Sequence, residues 1–310
     1  MRNAFADELT SLGGSDPRVM LLSGDIGNKL FDNFKSIAPG RFVNCGIAEA
    51  NMMGMAAGLA MNGFRPVVYT ITPFTTTRCF EQIRVDVCYH RAPVIIVGTG
   101  SGLSYAELGP THHSCEDIAI LRTLPGMKVV CPADATELRL AMRAALAQDD
   151  PVYMRIGKKG EATIHDTLPN FALGDAITIR DGVDVCLIGT GTMVATALDA
   201  ADKLITQGIS ARVESFHTIK PLDEGRLAEI FSRYPLVVLI EEHGRIGGLA
   251  AAVAEWSLSR STSYRPKVLS FGVPDEFPHV IGSQEYLRHQ FGLTAEAITQ
   301  SVQDACVEKA

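Results

Sequence analysis

The sequence has no long apolar run and no run of basic residues. A helix that crosses a membrane needs about 20 consecutive apolar residues, and no stretch comes near that length. Residues 1–18 also lack the apolar core of a secretory signal. The 28 basic and 35 acidic residues give a net charge of −7 without clustering. These absences argue against a membrane or a nucleic acid as partner and favour a cytoplasmic enzyme.

Cysteine is sparse, odd in number and scattered. The seven residues form no Cys-x-x-Cys motif, and they are Cys45, Cys79, Cys88, Cys115, Cys131, Cys186 and Cys306. Such a pattern predicts neither a disulfide framework nor a zinc site. We expect reduced thiols, most of them buried, and no metal site within this chain.

Short apolar strands alternate with longer helical segments through the first half of the chain. Strands are predicted at 19–23, 41–44, 66–72, 93–98 and 127–131, and helices at 1–13, 78–89 and 136–148. This alternation predicts a mostly parallel sheet covered on both faces, and such sheets bind ligands beyond the carboxyl ends of their strands. The segment 153–161 is predicted to be an exposed excursion.

A polar stretch that contains Pro169 separates this half from a second α/β repeat. The predicted division is a domain of residues 1–165, a linker of residues 166–178 and a second domain of residues 179–310. Both domains are predicted to be doubly wound α/β domains. The turn 189–192 lacks the third glycine and the lysine of phosphate-binding loops, so a tight strand-to-helix turn is expected there.

One carboxylate, Glu49, stands at the start of a helix rich in small residues. Residues 41–44 have strand character and Gly46 suits a helix N-cap, which makes Glu49 the third helical residue. Burial favours the protonated form of a carboxyl group, whereas the positive end of a helix favours the ionised form. The residues alone therefore leave Glu49 open as a simple cap or as a catalytic acid.

The run Gly46-Ile47-Ala48-Glu49, with the Ala/Gly/Met-rich helix behind it, resembles the pyrimidine-binding region of the transketolase family and of the related 1-deoxyxylulose-5-phosphate synthases. The resemblance implies thiamine diphosphate as cofactor and Glu49 as a catalytic residue. In that family the glutamate hydrogen-bonds the N1′ nitrogen of the aminopyrimidine, and the cofactor performs the difficult carbon chemistry.

The same resemblance implies further cofactor-binding residues beside Glu49. Phe74 follows the predicted strand 66–72 and matches the phenylalanine on which the ring stacks. Ile71 stands where relatives often have a second aromatic residue. Arg78 opens the helix that follows and completes the implied cofactor-binding set.

A second motif, Leu108-Gly109-Pro110-Thr111-His112-His113-Ser114, matches the Gly-Pro-Thr-His loop of the family. The match implies that His112 is catalytic and contacts substrate, a task that suits imidazole because it donates or accepts near neutral pH. His113 stands where glutamine is common and is included with the substrate residues. Arg155 resembles an arginine that binds the substrate phosphate, for which the paired donors of a guanidinium are suited.

Two positions depart from the transketolase pattern. Many transketolases have a substrate-binding histidine where this chain has Gly100, and an aspartate that reads a sugar hydroxyl where it has Leu108. Loss of a polar reader changes which substrate is preferred. The donor and acceptor sugars are therefore left open, as is the question of whether they are phosphorylated or nucleotide-linked.

The Gly-Asp-Gly motif through which the family binds magnesium and the diphosphate is absent from the sequence. Segments 215–223 and 241–249 resemble the family's C-terminal domain, so the resemblance covers nearly the whole chain. It implies the C-terminal subunit of a split transketolase, which transfers a two-carbon ketol unit from a ketose to an aldose. An N-terminal subunit would supply the Mg²⁺ and diphosphate site in an α2β2 heterotetramer.

Two other enzymes and a role without chemistry remain open. The β subunit of a 2-oxo-acid dehydrogenase E1 has similar length, but the Gly109-Pro110-Thr111-His112 motif favours the sugar-transferring branch. A 1-deoxyxylulose-5-phosphate synthase carries an arginine near the place of Thr99 and Gly100. A regulatory or scaffolding subunit would have no need of the acid, aromatic and imidazole side chains at the predicted site.

Overall fold

The computed structural model describes residues 1–27, 29–260 and 265–307. The strands in these ranges are β1 Val19–Ser23, β2 Phe42–Asn44, β3 Arg65–Ile71, β4 Ile95–Thr99, β5 Lys128–Val130, β6 Val152–Ile156, β7 Ile177–Arg180, β8 Val185–Gly189, β9 Ala211–Ser215, β10 Thr218–Lys220, β11 Leu236–Gly244 and β12 Lys267–Val273. They form a seven-stranded and a five-stranded sheet.

The strand order of each sheet is that of an α/β domain. The first sheet runs β10-β5-β6-β4-β3-β1-β2 and the second runs β12-β11-β8-β9-β7. Neighbouring strands pair in parallel, except that β10 is antiparallel to β5 and β7 is antiparallel to β9. The predicted architecture of two α/β domains with mostly parallel sheets is confirmed.

Helices cover the faces of both sheets. They are α1 Arg2–Ser15, α2 Asp32–Ile37, α3 Glu49–Met61, α4 Thr72–Thr75, α5 Phe80–Gln82, α6 Asp117–Arg122, α7 Ala135–Leu146, α8 Met193–Ile205, α9 Glu224–Arg233, α10 Leu249–Leu258, α11 Gln284–Gln290 and α12 Ala295–Val307. A 3-10 turn, Thr77–Cys79, precedes α5, and the π-helical segment Ile83–Tyr89 continues it. No helix in the described ranges has the length and apolar character of a membrane span.

The inner strands of the first sheet are mostly apolar because both faces of the sheet are covered. Every residue of β1, β4 and β6 is buried, as is typical of parallel sheets. One cluster of buried apolar side chains continues from the first domain into the second, from Ile96 to Ile188 and Trp256. The two domains therefore share part of their core.

The prediction that segment 153–161 is an exposed excursion was wrong for its first part, although Lys159 and Gly160 are exposed. Its first part belongs to β6, Val152–Ile156, which lies between β5 and β4 in the middle of the first sheet. Met154 packs in an apolar cluster, while Arg155 on the other face is neutralised by Asp117. The arginine made the segment look solvent-exposed because its acidic partner lies far away in sequence.

The turn before α3 also differs from the prediction. The helix begins at Glu49 with Ala48 as its N-cap, so Glu49 is the first helical residue and not the third. Gly46 has a left-handed φ of 67°, and its N–H donates to the Asn44 side chain at 3.0 Å. The chain therefore turns out of the strand at Gly46. The helix starts later than it would if Gly46 were its N-cap. The Glu49 carboxylate remains at the positive end of the helix.

One strand of the second domain belongs to the first sheet. After β9 the chain turns back, and β10 pairs antiparallel with the edge strand β5, with Thr218 opposite Val130. The N–H of Cys131 donates to the carbonyl oxygen of His217 at 2.6 Å beside this pairing. In addition, β7 begins at Ile177, within the segment predicted to be linker.

Candidate active site

Glu49 is almost fully buried at the start of α3, with 3% of its side chain exposed. A single nitrogen of Arg78, Nη1, donates to both carboxylate oxygens at 3.0 Å. Arg78 belongs to the 3-10 turn that follows β3 and α4, and 45% of its side chain is exposed. A buried carboxylate is therefore paired with a cation that reaches solvent.

Phe74 lies beside this ion pair, in α4 at the carboxyl end of β3. The Cζ atom of Arg78 is 4.0 Å from the centre of the Phe74 ring, so the guanidinium covers one face of that ring. The ring of His112 meets Phe74 edge-on, with 5.3 Å between ring centres and an angle of 68°. Ile71 is buried at the end of β3, where it is the N-cap of α4. The structure thus brings the predicted acid, aromatic ring and imidazole together.

The two histidines of the Gly-Pro-Thr-His-His motif have different surroundings. The Nδ1 atom of the half-buried His112 is 2.9 Å from the Thr111 hydroxyl, which leaves Nε2 for another partner. His113 is buried, with Nε2 3.4 Å from the carbonyl oxygen of Ala106 and Nδ1 unpartnered among the described residues. Burial lowers the pKa of His113, so this imidazole is neutral at pH 7. His112 is the better placed of the two to meet a substrate.

Tyr105 occupies the space beside Gly100. Gly100 has φ +70°, and a Cβ atom there would lie 1.9 Å from Cε2 of Tyr105. The Tyr105 ring is 8% exposed and lies 5.9 Å from the His112 ring, centre to centre. The Nζ atom of Lys158 is 4.4 Å from the centre of the Tyr105 ring. Tyr105 therefore forms a wall of the site where many transketolases have a histidine.

Sequence reasoning missed Tyr105 and Lys158 as neighbours of the predicted site. The sequence contained a signal for Tyr105. A glycine at position 100 leaves space for a neighbouring side chain, and Tyr105 follows on the same loop. The other departure, Leu108, has no such compensation. Its side chain is exposed.

Arg155 is buried at the end of β6 and is engaged within the chain. Its Nε donates to Asp117 Oδ2 at 2.8 Å, and its Nη2 donates to the carbonyl oxygens of Ser114 at 3.1 Å and Glu242 at 2.8 Å. The Tyr153 hydroxyl donates to the same Asp117 oxygen at 2.5 Å. Burial opposes the charge of Arg155, but Asp117, together with Cys131 and Tyr153, outweighs burial and raises the arginine's pKa. This geometry is that of a structural ion pair, and binding of a substrate phosphate by Arg155 stays a prediction.

The arrangement can hold a flat ring and a polar substrate side by side. The Phe74 ring offers a stacking surface, Glu49 offers a buried acceptor next to it, and His112 offers an imidazole at the ring's edge. Within residues 1–27, 29–260 and 265–307, no group of three or more His, Cys, Asp or Glu side chains is arranged to hold a metal ion.

Family models match two domains in this chain, and named proteins match nearly its whole length. Residues 1–160 match the model of the transketolase pyrimidine binding domain, and residues 174–298 match that of the transketolase C-terminal domain. The chain is 37% identical to the 6-deoxy-6-sulfo-D-fructose transketolase subunit SqwH of Clostridium sp. (strain MSTE9), over 100% of this chain and 95% of that protein. It is 36% identical to an apulose-4-phosphate transketolase subunit of Phocaeicola vulgatus, over 97% of this chain and 95% of that protein.

Solved structures share the whole fold. A split gene transketolase, described as an inactive beta4 tetramer, matches with a TM-score of 0.88 and 36% identity, over 98% of this chain and 97% of the other. The transketolase of Campylobacter jejuni matches in fold with a TM-score of 0.82 at 18% identity, over 98% of this chain and 46% of the other. This chain therefore belongs to the transketolase family, as a transferase subunit that carries the pyrimidine-binding and C-terminal domains.

Proposed function

We propose that this subunit supplies the pyrimidine half of a thiamine-diphosphate site, and that the assembled enzyme transfers a two-carbon ketol unit from a ketose to an aldose. The observation that carries the proposal is the contact between the buried Glu49, Arg78 and Phe74, with His112 at the edge of the ring. Membership of the transketolase family supports the choice of cofactor and reaction.

The position of Arg78 indicates that a flat, nitrogen-bearing ring fits here. Its planar cation lies on the Phe74 ring and donates to the Glu49 carboxylate. A pyrimidine that stacks on this face and hydrogen-bonds Glu49 makes the same two contacts. Since 45% of the Arg78 side chain is exposed, the guanidinium can turn towards solvent without repacking of the core. In this proposal the cofactor displaces the Arg78 guanidinium from Phe74 and Glu49 when it binds.

Each side chain has a distinct task in the proposed reaction. When bound, thiamine diphosphate supplies the nucleophilic carbon that breaks the ketose carbon–carbon bond. Glu49 binds a ring nitrogen and holds a proton at its carboxylate, where burial excludes water. Phe74 sets the plane of the ring, and Ile71 lies at the end of the strand that precedes it. His112 offers Nε2 to a substrate oxygen, and His113 supports the loop from within.

The proposed enzyme is an α2β2 heterotetramer in which an N-terminal subunit provides the diphosphate site and the Mg²⁺ ligands. Two relatives that match this chain end to end are named as transketolase subunits, and the split gene transketolase described as a beta4 tetramer is described as inactive. We place the enzyme in the cytoplasm. All seven cysteines are free and four of them are buried, which suits a reducing compartment.

The proposed donor is a ketose with an anionic group, such as a ketose phosphate. The relatives named above are named for 6-deoxy-6-sulfo-D-fructose and for apulose 4-phosphate. In this chain Tyr105 stands beside His112 where the usual histidine is lost, and Lys158, which pairs with Glu107, lies over the Tyr105 ring. An altered wall next to the reacting sugar supports a preference that differs from ordinary pentose-phosphate exchange.

Calorimetry tests the shared site directly. Thiamine diphosphate with Mg²⁺ is titrated into this subunit, into the N-terminal subunit and into their equimolar mixture, and the mixture is then assayed with a panel of ketose phosphates. We expect tight binding and ketol transfer in the mixture and neither in the separate subunits. Tight binding or turnover by this chain alone would refute the shared site, and decarboxylation of pyruvate by the mixture would favour the 2-oxo-acid dehydrogenase alternative.

A further inference from the structure

The loop that carries Tyr105 and His112 is closed at its base by a pair of backbone hydrogen bonds. The N–H of Gly102 donates to the Ser114 carbonyl oxygen at 3.0 Å, and the N–H of Ser114 donates to the Gly102 carbonyl oxygen at 2.9 Å. These two residues form an isolated antiparallel bridge outside both sheets. The orientation of the loop therefore depends on whatever holds this base.

A side chain of the second domain holds one side of the base. Glu242, in β11, is buried with 3% of its side chain exposed, and its Oε1 accepts from the N–H of Leu103 at 2.7 Å. Its carboxylate also accepts from the Gln284 amide at 2.9 and 3.0 Å and from Arg288 Nε. Both of these partners lie on α11. The carboxylate thus joins the loop to the far end of the chain.

The backbone of Gly102 has been brought close to Glu242. Gly102 has φ +61°, and a Cβ atom on it would lie 2.4 Å from Glu242 Oε1 and 2.7 Å from the Glu242 carbonyl oxygen. Contacts that short exclude any side chain, so a glycine is required at this approach. The close approach does not follow from positive φ alone, because an alanine at Gly63, which also has positive φ, would meet nothing within 4 Å.

Arg155 holds the other side of the base and connects it to the same residue. Its Nη2 donates to the carbonyl oxygens of Ser114 and Glu242, at 3.1 and 2.8 Å. Glu242 therefore contacts the base twice, through its carboxylate at Leu103 and through its backbone by way of Arg155. Charge-assisted hydrogen bonds to buried backbone groups are among the stronger ones in a protein.

We propose that Glu242 is a positioning residue for the substrate loop, and that the C-terminal domain orients His112 and Tyr105 through it. The proposal deepens the proposed function, on which the substrate role of His112 rests. Glu242 touches neither His112 nor the Glu49 site in the described contacts. Its removal should therefore disturb substrate binding more than cofactor binding.

Hydrogen exchange on the full chain measures the positioning without any assay of activity. We compare Glu242→Met, which keeps the volume and loses the acceptor, with Glu242→Gln, which keeps an oxygen acceptor for Leu103. We expect amides 103–114 to exchange at least tenfold faster in the methionine variant and within threefold of the parent in the glutamine variant. Glu214→Gln is the control, because Glu214 is an equally buried carboxylate of the second domain whose hydrogen bonds and ion pairs, in the described part of the chain, go to Arg212, Arg226 and Thr178 and not to the loop.

Kinetics of the assembled enzyme provide the second readout. In the methionine variant we expect KM for the ketose to rise at least fivefold while the affinity for thiamine diphosphate stays within twofold, with recovery in the glutamine variant. If Glu242→Met does not fold, Gly102→Ala tests the same contact from the loop side, with Gly63→Ala as its control. Unchanged exchange of 103–114, or equal defects in both Glu242 variants, would overturn the proposal. Faster exchange in an assembly that has no transketolase activity would refute the proposed function and keep the positioning role.

Discussion

Arg78 neutralises Glu49 from a single guanidinium nitrogen, Nη1, which lies 3.0 Å from each carboxylate oxygen. The arginine is held on the Phe74 ring at the same time. The carboxylate is therefore preorganised at the start of α3 before any ligand arrives. In the proposed function the pyrimidine ring of the cofactor takes the place of this arginine.

Replacement of Glu49 by glutamine should abolish turnover and leave the fold intact. The amide keeps the size of the side chain and loses the ability to hold a proton, and loss of such an acid costs about 10² to 10⁴ in rate. The measurement is ketol transfer by the mixed subunits, with assembly followed by size exclusion. Glu81→Gln is the control, because Glu81 pairs with Arg84 on the exposed side of the neighbouring helix. Activity near the parent level would support a structural role for the chain.

Replacement of Arg78 by alanine should tighten the binding of thiamine diphosphate to the assembled enzyme. The cofactor no longer has to displace the guanidinium from Phe74 and Glu49. Stability should fall by about 1 to 3 kcal/mol, because the change leaves the buried Glu49 carboxylate without its cation. Calorimetry and thermal unfolding of the variant, with Arg84→Ala for comparison, measure both quantities. Weaker binding would show that Arg78 is a direct ligand of the cofactor.

Replacement of Gly100 by alanine should destabilise the chain more than the same change at Gly63. Both glycines have positive φ, at 70° and 88°. Backbone strain should therefore lower the free energy of unfolding of both variants by about 1 kcal/mol. Only at Gly100 does the new methyl group meet a ring, that of Tyr105, which adds about 1 to 3 kcal/mol. Urea unfolding compares the two variants. The double variant with Tyr105→Ala should lose the added cost, and equal destabilisation at both glycines would contradict the packing seen here.

Replacement of Arg155 by methionine should lower the free energy of unfolding by about 3 to 5 kcal/mol, because it leaves the fully buried Asp117 without its cation. Adding Asp117→Asn should restore much of the loss, since no buried charge is then unpaired. Denaturant unfolding at one pH measures both effects. A loss under about 1 kcal/mol together with a large rise in KM would instead support the predicted binding of a substrate phosphate.

Titration of His243 should lower the stability of the fold as the pH falls from 6.5 towards 4. Burial lowers the pKa of this imidazole to about 4, Asp117 opposes that shift and Arg155 adds to it. Because the folded pKa lies below the unfolded value, the unfolded chain takes up the proton first. The contribution of His243 is complete above pH 6.5 and is lost towards pH 4, to a total of about 3 kcal/mol.

The variant His243→Gln measures how much His243 contributes to the pH dependence of stability. Its side-chain oxygen can still accept from the N–H of Ala119, as His243 Nε2 does at 3.3 Å. The slope of stability against pH should therefore flatten between pH 4 and 6.5, as read from urea midpoints. Burial raises the pKa of Glu241 to about 7, so titration of this carboxyl group lowers stability as the pH rises. Parent and variant both contain Glu241, so this effect is the same in both. Equal slopes in parent and variant would exclude the assignment.

Local pattern was enough to predict the alternation of strands and helices and the family, and both are confirmed. The local sequence pattern did not predict which residues surround the predicted site residues. Asp117 is 38 positions from Arg155 in sequence. The residues near Arg155 in sequence therefore do not indicate that its charge is neutralised. The contact of Tyr105 with Gly100 depends on how one loop folds back on itself. Such pairings arise from tertiary structure, and sequence periodicity does not record them.

The short strand β10 limits how this protein can be divided. Because Thr218–Lys220 completes the first sheet next to β5, a fragment that ends after the first domain would expose β5 as an unpaired edge, which invites aggregation. A fragment that holds only the second domain would have to present β10 with no sheet to join. We therefore expect the two domains to fold better as one chain than as separate fragments.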